Sequence, residues 1–298
     1  MIKIATQSCR KLREEIEKGE KNVFCSGLFL SARWYALSQS APQSVNLVIL
    51  PNSEAAEYCA ADLYNLTEGD KVFFLPATRK TSERSTHKAS LSVQRTSAIS
   101  ALLGNTGTLF IVTYPEAVEE KVPKSKDINS SIFKITKGQE ISHSAISERL
   151  ISMGFEKTDF VSIPGQYAIR GAVIDIFSYS GNHPYRISFF GDEVEDIHIF
   201  DCNTQLSIEK IEEAEIISSF ISDESEEGES LINMLPSDSV IWLDSSDMYK
   251  DKEFFPQTAG FSRVFMEVPL GQQDADPVKF SISAQPVFNK NFELLSAV

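Results

Sequence analysis

Residues 22–66 read NVFCSGLFLSARWYALSQSAPQSVNLVILPNSEAAEYCAADLYNL, and their reading decides the fold. NVFCSG, 22–27, is a short apolar run that enters a loop. SARWYALSQS, 31–40, predicts a helix. VNLVILPN, 45–52, is a continuous apolar run closed by polar punctuation, which predicts a buried strand. SEAAEYCAADLYNL, 53–66, predicts a helix with Ser53 placed to cap it and Glu54 in its first turn. Strand, loop, helix, strand, helix at this spacing builds a parallel sheet covered on both faces. The alternation continues with a strand at 71–76 (KVFFLP), a helix around 91–103, and a strand at 107–113 turning into a further helix. Upstream, RKLREEIEK, 10–18, predicts a helix.

The loop inside this stretch, GLFLSARW, has the length of the phosphate-cradling pattern G-x-x-x-x-G-K-[ST] and begins with its glycine, Gly27. Its other positions differ. Leu30 and Ala32 carry side chains where backbone N–H groups must close around phosphates. Arg33, planar and bulkier, stands at the lysine position. Trp34 offers no hydroxyl to magnesium. The chemistry of a working nucleotide loop is therefore not expected here.

The rhythm changes near Val118. KVPKSKDINSS, 121–131, reads as a polar connector. FKITKGQEIS, 133–142, predicts a strand, and HSAISERLISMGF, 143–155, an amphipathic helix. Three strand-like runs follow: AIRGAVIDIFSY (168–179), HPYRISFFG (183–191) and VEDIHIFD (194–201), with turn chemistry at 180–182 and 191–193. The expectation is an antiparallel meander with a helix packed on it, a second, smaller α+β module. SDESEEGES, 222–230, is a solvated loop by composition. VIWLDSSD, 240–247, predicts another buried strand ending in an aspartate. The last fifty or so residues are weakly patterned.

A chain of 298 residues has room for two domains, and 42% hydrophobic content supports a real core. The net charge of −14, concentrated from Gln205 onward, argues against nucleic-acid binding, which needs a basic face. Cys9, Cys25, Cys59 and Cys202 are far apart and form no C-x-x-C pair, as expected of reduced thiols in an intracellular protein. His87, His143, His183 and His198 have no ligand spacing, so neither a metal nor a cofactor is expected. No signal-peptide pattern opens the sequence and no apolar run reaches about 18 residues, so a cytoplasmic protein is expected.

Residues 164–205, PGQYAIRGAVIDIFSYSGNHPYRISFFGDEVEDIHIFDCNTQ, resemble the second domain shared by UvrB and the transcription-repair coupling factors. The resemblance rests on the runs at 165–178, 186–194 and 197–201, and departs at Ser178, where the family usually has proline. It extends to both flanks. Residues 27–34 stand in the place of UvrB's phosphate loop, and Asp244 and Ser245 in the place of its magnesium-binding acidic pair, the second acid lost to Ser245. Degenerate motifs of both kinds characterise the N-terminal, UvrB-like module of the coupling factors, so that module is the nearer likeness. UvrB itself, and an active nucleotide-dependent helicase module, are the alternatives.

The resemblance implies a degenerate RecA-like parallel-sheet α/β domain formed by 1–116 and 205–298. It implies a short or vestigial 1B-like part near 205–236, and an inserted UvrA-interaction domain at 117–204. It implies a chain without catalytic residues that recruits UvrA to stalled transcription complexes in nucleotide excision repair. It further implies that this is a piece of a longer, ATP-driven DNA translocase, whose contacts to RNA polymerase and DNA lie outside the chain. In the family, residues at the motif positions of Arg170, Arg186 and Phe190 bind UvrA. Strand period places Arg186, Ser188 and Phe190 on one face, and arginines beside an aromatic suit an acidic partner surface. The bland alternative is that the arginines pair with Asp175, Asp192 or Glu193 on a solvated sheet.

Overall fold

The computed structural model describes residues 2–67, 69–78, 85–124, 131–181, 183–220, 228–268 and 276–282. Parts of the polar connector (125–130) and of the acidic loop (222–227) lie outside them.

The chain opens with α1 (Ile2–Glu17), which starts well before the helix expected at 10–18. Then β1 (Asn22–Ser26), α2 (Ala32–Ser40), β2 (Val45–Ile49), α3 (Ser53–Leu66), β3 (Val72–Phe74), α4 (Ser85–Gly104), β4 (Leu109–Thr113) and α5 (Pro115–Glu119) alternate as the sequence implies. Together with β13 (Val240–Leu243), β14 (Ser262–Phe265) and β15 (Val278–Lys279) these strands form one sheet, in the order β15-β1-β14-β13-β2-β4-β3. Every pairing in it is parallel. Its central strands VNLVI, LFIVT and VIWL are buried at every position. Strands buried on both faces have no polar side to show, hence the unbroken apolar runs. Of the two polar residues in them, Asn46 accepts the Trp242 indole N–H at 3.0 Å and donates to the Ser44 carbonyl at 2.9 Å, and Thr113 donates its hydroxyl to the Leu75 carbonyl at 2.9 Å. A buried amide is tolerated because it is bonded. The cap of α3 is Asn52, whose side chain accepts from the N–H of Ala55 at 2.9 Å. Ser53, expected as the cap, is the first helical residue, and its hydroxyl donates to Glu57.

The second module holds β5 (Ile132–Thr136), α6 (His143–Ser152), β6 (Glu156–Lys157), β7 (Gln166–Arg170), β8 (Val173–Ile176), β9 (Tyr185–Phe190), β10 (Glu193–Phe200), β11 (Ser207–Ile211) and β12 (Glu213–Ile217). Six of these strands make a sheet in the order β11-β10-β9-β8-β7-β6, and β12 pairs with β5 as a separate ribbon. The run 168–179, expected as one strand, is two. Arg170 pairs with Val173, so Gly171 and Ala172 alone make the turn, with Gly171 at φ 59. Gly191 does the same at φ 65 between Phe190 and Glu193. Glycine at the first position of a two-residue hairpin loop gives the strands their twist without steric penalty. β11 and β12 extend the module's pairing through Ile217, beyond 204.

One apolar core lies around the parallel sheet. A second sits between α6, the ribbon and one face of the six-stranded sheet, with Tyr167, Ile174, Ile176, Ile187 and Phe189 pointing into it. The other face carries only a small cluster of Val161, Ala168, Phe177 and Phe200. The chain leaves and re-enters the first core through a neck, where Val122 and Glu229 exchange backbone hydrogen bonds of 3.0 and 2.8 Å. Ser178 is 1% exposed, and its hydroxyl accepts the N–H of Ile217 at 2.9 Å, tying sheet to ribbon.

Candidate functional sites: a closed loop and an arginine face

At the C-terminal edge of the parallel sheet, the loop after β1 turns into α2. Gly27 has φ 76, and a Cβ there would stand 2.1 Å from the carbonyl oxygen of Phe280. Glycine is needed at 27 for β15 to lie beside β1, whatever the loop binds. Leu30, 80% exposed, keeps a left-handed backbone at φ 50. The N–H groups of Ala32, Arg33 and Trp34 donate back to the carbonyls of Phe29, Leu30 and Ser31 at 3.3, 3.2 and 3.1 Å. These helix-start donors, which a phosphate loop leaves open, are engaged within the loop. The Trp34 indole packs against the parallel-sheet core.

Arg33 crosses to the ends of two neighbouring strands. Its Nη1 donates to Asp244 Oδ1 at 3.0 Å, and its Nη2 to Glu267 Oε1 at 2.7 Å. Arg33 and Asp244, expected from the sequence at the lysine and magnesium-aspartate positions, thus form a direct ion pair. Burial pushes the Asp244 carboxyl above the ordinary aspartate range, with Arg33 opposing the rise and Glu267 adding to it. Ser245 caps a short 3-10 turn at 246–248 without a side-chain cap bond. Glu267 lies in the weakly patterned tail, where no sequence motif marks it.

The second site is the outer face of the six-stranded sheet. Register sets Ala168, Asp175, Arg186, His198 and Lys210 side by side on one rung, and Arg170, Val173 and Ser188 on the next. Asp175, 1% exposed, receives both arginines. Arg186 gives it two bonds, Nε to Oδ1 at 2.8 Å and Nη2 to Oδ2 at 2.9 Å, and Arg170 Nη2 also reaches Oδ2. Bonding to Asp175 raises the pKa of Arg186 above its ordinary value. Arg186 lies over the Phe200 ring, 4.0 Å from Cζ to centroid, and Arg170 over Phe160 at 4.8 Å. Phe190, beyond Ser188 on the same strand, is 79% exposed. The face therefore joins a two-arginine, one-carboxylate cluster to an exposed aromatic. Phe160 and Gln205 also belong to it and lie outside the arginine motifs.

Among the described residues, no helix is long and apolar enough to cross a membrane, and no group of three or more His, Cys, Asp and Glu side chains could hold a metal ion.

Residues 133–219 match the family model of the UvrB interaction domain. Over 199 residues the chain is 30% identical to the transcription-repair-coupling factor of Bacillus subtilis (strain 168), covering 66% of this chain and 17% of that protein. The factor of Escherichia coli (strain K12) is 29% identical over 153 residues, 51% of this chain and 12% of that protein. That of Staphylococcus aureus (strain Mu50 / ATCC 700699) is 29% identical over 201 residues, 66% of this chain and 17% of that protein. The chain thus spans less than a fifth of the length of these relatives. It carries a UvrB interaction domain and is related, over 66% of its own length, to the transcription-repair-coupling factors.

Proposed function

We propose that the chain is a non-catalytic recognition module that binds UvrA through the outer face of the six-stranded sheet. In a longer parent this contact would recruit UvrA to stalled transcription complexes in nucleotide excision repair, in the cytoplasm. The observation that carries the reading is the cluster of Arg170, Arg186 and Asp175, with exposed Phe190 further along the strand of Arg186, inside the segment that matches the UvrB interaction domain. Two guanidiniums against one carboxylate leave a positive surface, and an aromatic neighbour supplies apolar area. The proposed UvrA-interaction domain is the expected 117–204 lengthened through β12. The parallel-sheet domain to either side is its carrier.

The loop at 27–34 supports the non-catalytic part of the reading. Arg33 fills the space between loop and strand ends, and its pairing with Asp244 engages the carboxylate that magnesium would need. RNA polymerase and DNA would be partners of the parent through segments outside this chain. The test is a calorimetric titration of the chain with UvrA from the same organism, with duplex DNA in a parallel cell. Saturable binding of UvrA at physiological salt supports the reading, and its absence removes it.

A further inference from the structure

Helix α4 carries polar side chains where a buried helix face is ordinarily apolar. Ser92, Arg95 and Thr96 share one stripe of it, at the spacing that brings helix side chains together, and all three are buried, Arg95 with 0% exposure. Arginine is seldom buried unless its donors are used, because an unpaired buried charge is costly. Here the guanidinium spans three segments. Its Nη1 donates to the carbonyls of Pro76, just after β3, and of Ala117 in α5, at 3.0 and 3.1 Å. Its Nη2 donates to the carbonyl of Glu120, the residue after α5, at 2.7 Å. Carbonyls at a helix C-terminus have no partner within the helix, so the arginine supplies what α5 lacks. Nε stands 3.7 Å from the Glu120 carboxylate, whose oxygens accept the N–H of Thr78 at 2.7 Å and the Thr78 hydroxyl. Glu120 is where the chain leaves for the inserted module.

The rest of the stripe holds the chain on its way back. The Thr96 hydroxyl oxygen accepts the N–H of Phe220 at 3.1 Å, and the Ser92 and Ser219 hydroxyls share a hydrogen bond of 2.8 Å. One residue earlier the chain still belongs to the module. The N–H of Ser218 donates to the Ser131 carbonyl at 3.0 Å, and the Ile217 carbonyl accepts the N–H of Tyr179 at 3.1 Å. One helix therefore grips the outgoing chain at 117–120 and the returning chain at 219–220, where it passes between the two sheets. Apolar groups of similar volume in place of a buried ionic cluster are often neutral or stabilising, so core packing alone does not call for this stripe. Its hydrogen bonds add direction. They fix the angles at which both chains leave α4, which apolar contacts would leave free to slide.

We propose that α4 is the clamp that sets the orientation of the inserted module on the parallel-sheet body. Arg95 is the positioning residue for the outgoing chain, and Ser92 and Thr96 are those for the returning chain. The outer face of the six-stranded sheet is then presented at a fixed angle to the body, whatever partner it meets.

Amide residual dipolar couplings of the weakly aligned full chain test this with no partner present. In wild type, the couplings of the parallel sheet and of the six-stranded sheet fit one alignment tensor. Arg95→Lys keeps the charge beside Glu120 and loses the planar fork that spans three carbonyls. Ser92→Ala combined with Thr96→Val removes the two hydroxyls and keeps the bulk of the side chains. Each variant should need two tensors, the module's weaker than the body's, while the couplings within each sheet still agree with one another. Hydrogen exchange separates a clamp from general support of the core: the amides of Ile111 and Val112 in β4 should stay as protected as in wild type. Folded variants whose two sheets still share one tensor would overturn the proposal, as would variants in which β4 exchanges faster and the orientation is unchanged. Should Arg95→Lys not fold, the Ser92→Ala, Thr96→Val chain decides by the same criterion.

Discussion

Arg33 shows how a single side chain can tie a loop to the ends of two strands. Asp244 is 8% exposed and could not stand ionised without a partner, and Arg33 reaches it at 3.0 Å. Removing one member of a buried pair costs about 3–5 kcal/mol, and the 22% exposure of Arg33 reduces that. Arg33→Ala should therefore lower unfolding stability by about 1–3 kcal/mol in urea titrations, and by clearly less in an Asp244→Asn background. Equal losses in both backgrounds would show that the pair does not hold the loop. The same carboxyl predicts a pH effect. Its pKa is raised in the fold, so the native state binds more protons over that window. Stability from this residue is then present below the ordinary aspartate value and lost as pH rises through the raised one. Relative to wild type, Asp244→Asn should gain stability as pH goes from about 3 to about 7. A gap that moves the other way would mean that the ion pair outweighs burial.

Gly27 belongs to the scale of elements, because it decides whether two strands can meet. At φ 76, with the Phe280 carbonyl 2.1 Å from where a Cβ would sit, Gly27→Ala must push β15 away from β1. A loss of more than about 1 kcal/mol is expected in thermal or urea unfolding, since the backbone conformation and the close approach both oppose a side chain. An alanine variant as stable as wild type would show that β15 is not held there. The elements legible in the sequence were those with one dominant pattern. VNLVI, LFIVT and VIWL could only be buried strands. SIEKI of β11 and EAEII of β12 were not legible, because edge and ribbon strands carry charges on positions that a central strand fills with apolar groups. The β7–β8 hairpin was hidden by its own economy, a two-residue turn inside an apolar run. At the sites, the motifs brought Arg170, Arg186 and Phe190 to attention. Glu267, Gln205 and Phe160 carry no motif, and only the fold brings them beside an arginine.

At the scale of the whole molecule, a parallel-sheet body carries a module that is antiparallel except at its β6–β7 edge, through a neck at Val122 and Glu229. If the closed loop binds no nucleotide, Mg-ATP at millimolar concentration should leave the melting temperature unchanged. A ligand at about a hundredfold excess over its Kd would add about 2.7 kcal/mol of stability, which a thermal shift detects. A shift that disappears in Arg33→Ala would contradict this. The module's outer face is the central claim, and affinity for UvrA tests it most directly. Calorimetry should compare wild type with Arg170→Ala and Phe190→Ala, and with Tyr58→Ala, an exposed aromatic on α3 of the other domain, as control. Truncating an interface arginine paired with a carboxylate costs about 2–5 kcal/mol, or about thirtyfold to several thousandfold in Kd. The account predicts that Arg170→Ala and Phe190→Ala stay folded and each lose more than about tenfold in affinity, while Tyr58→Ala binds as wild type does. Folded Arg170 and Phe190 variants that bind UvrA with wild-type affinity would contradict it.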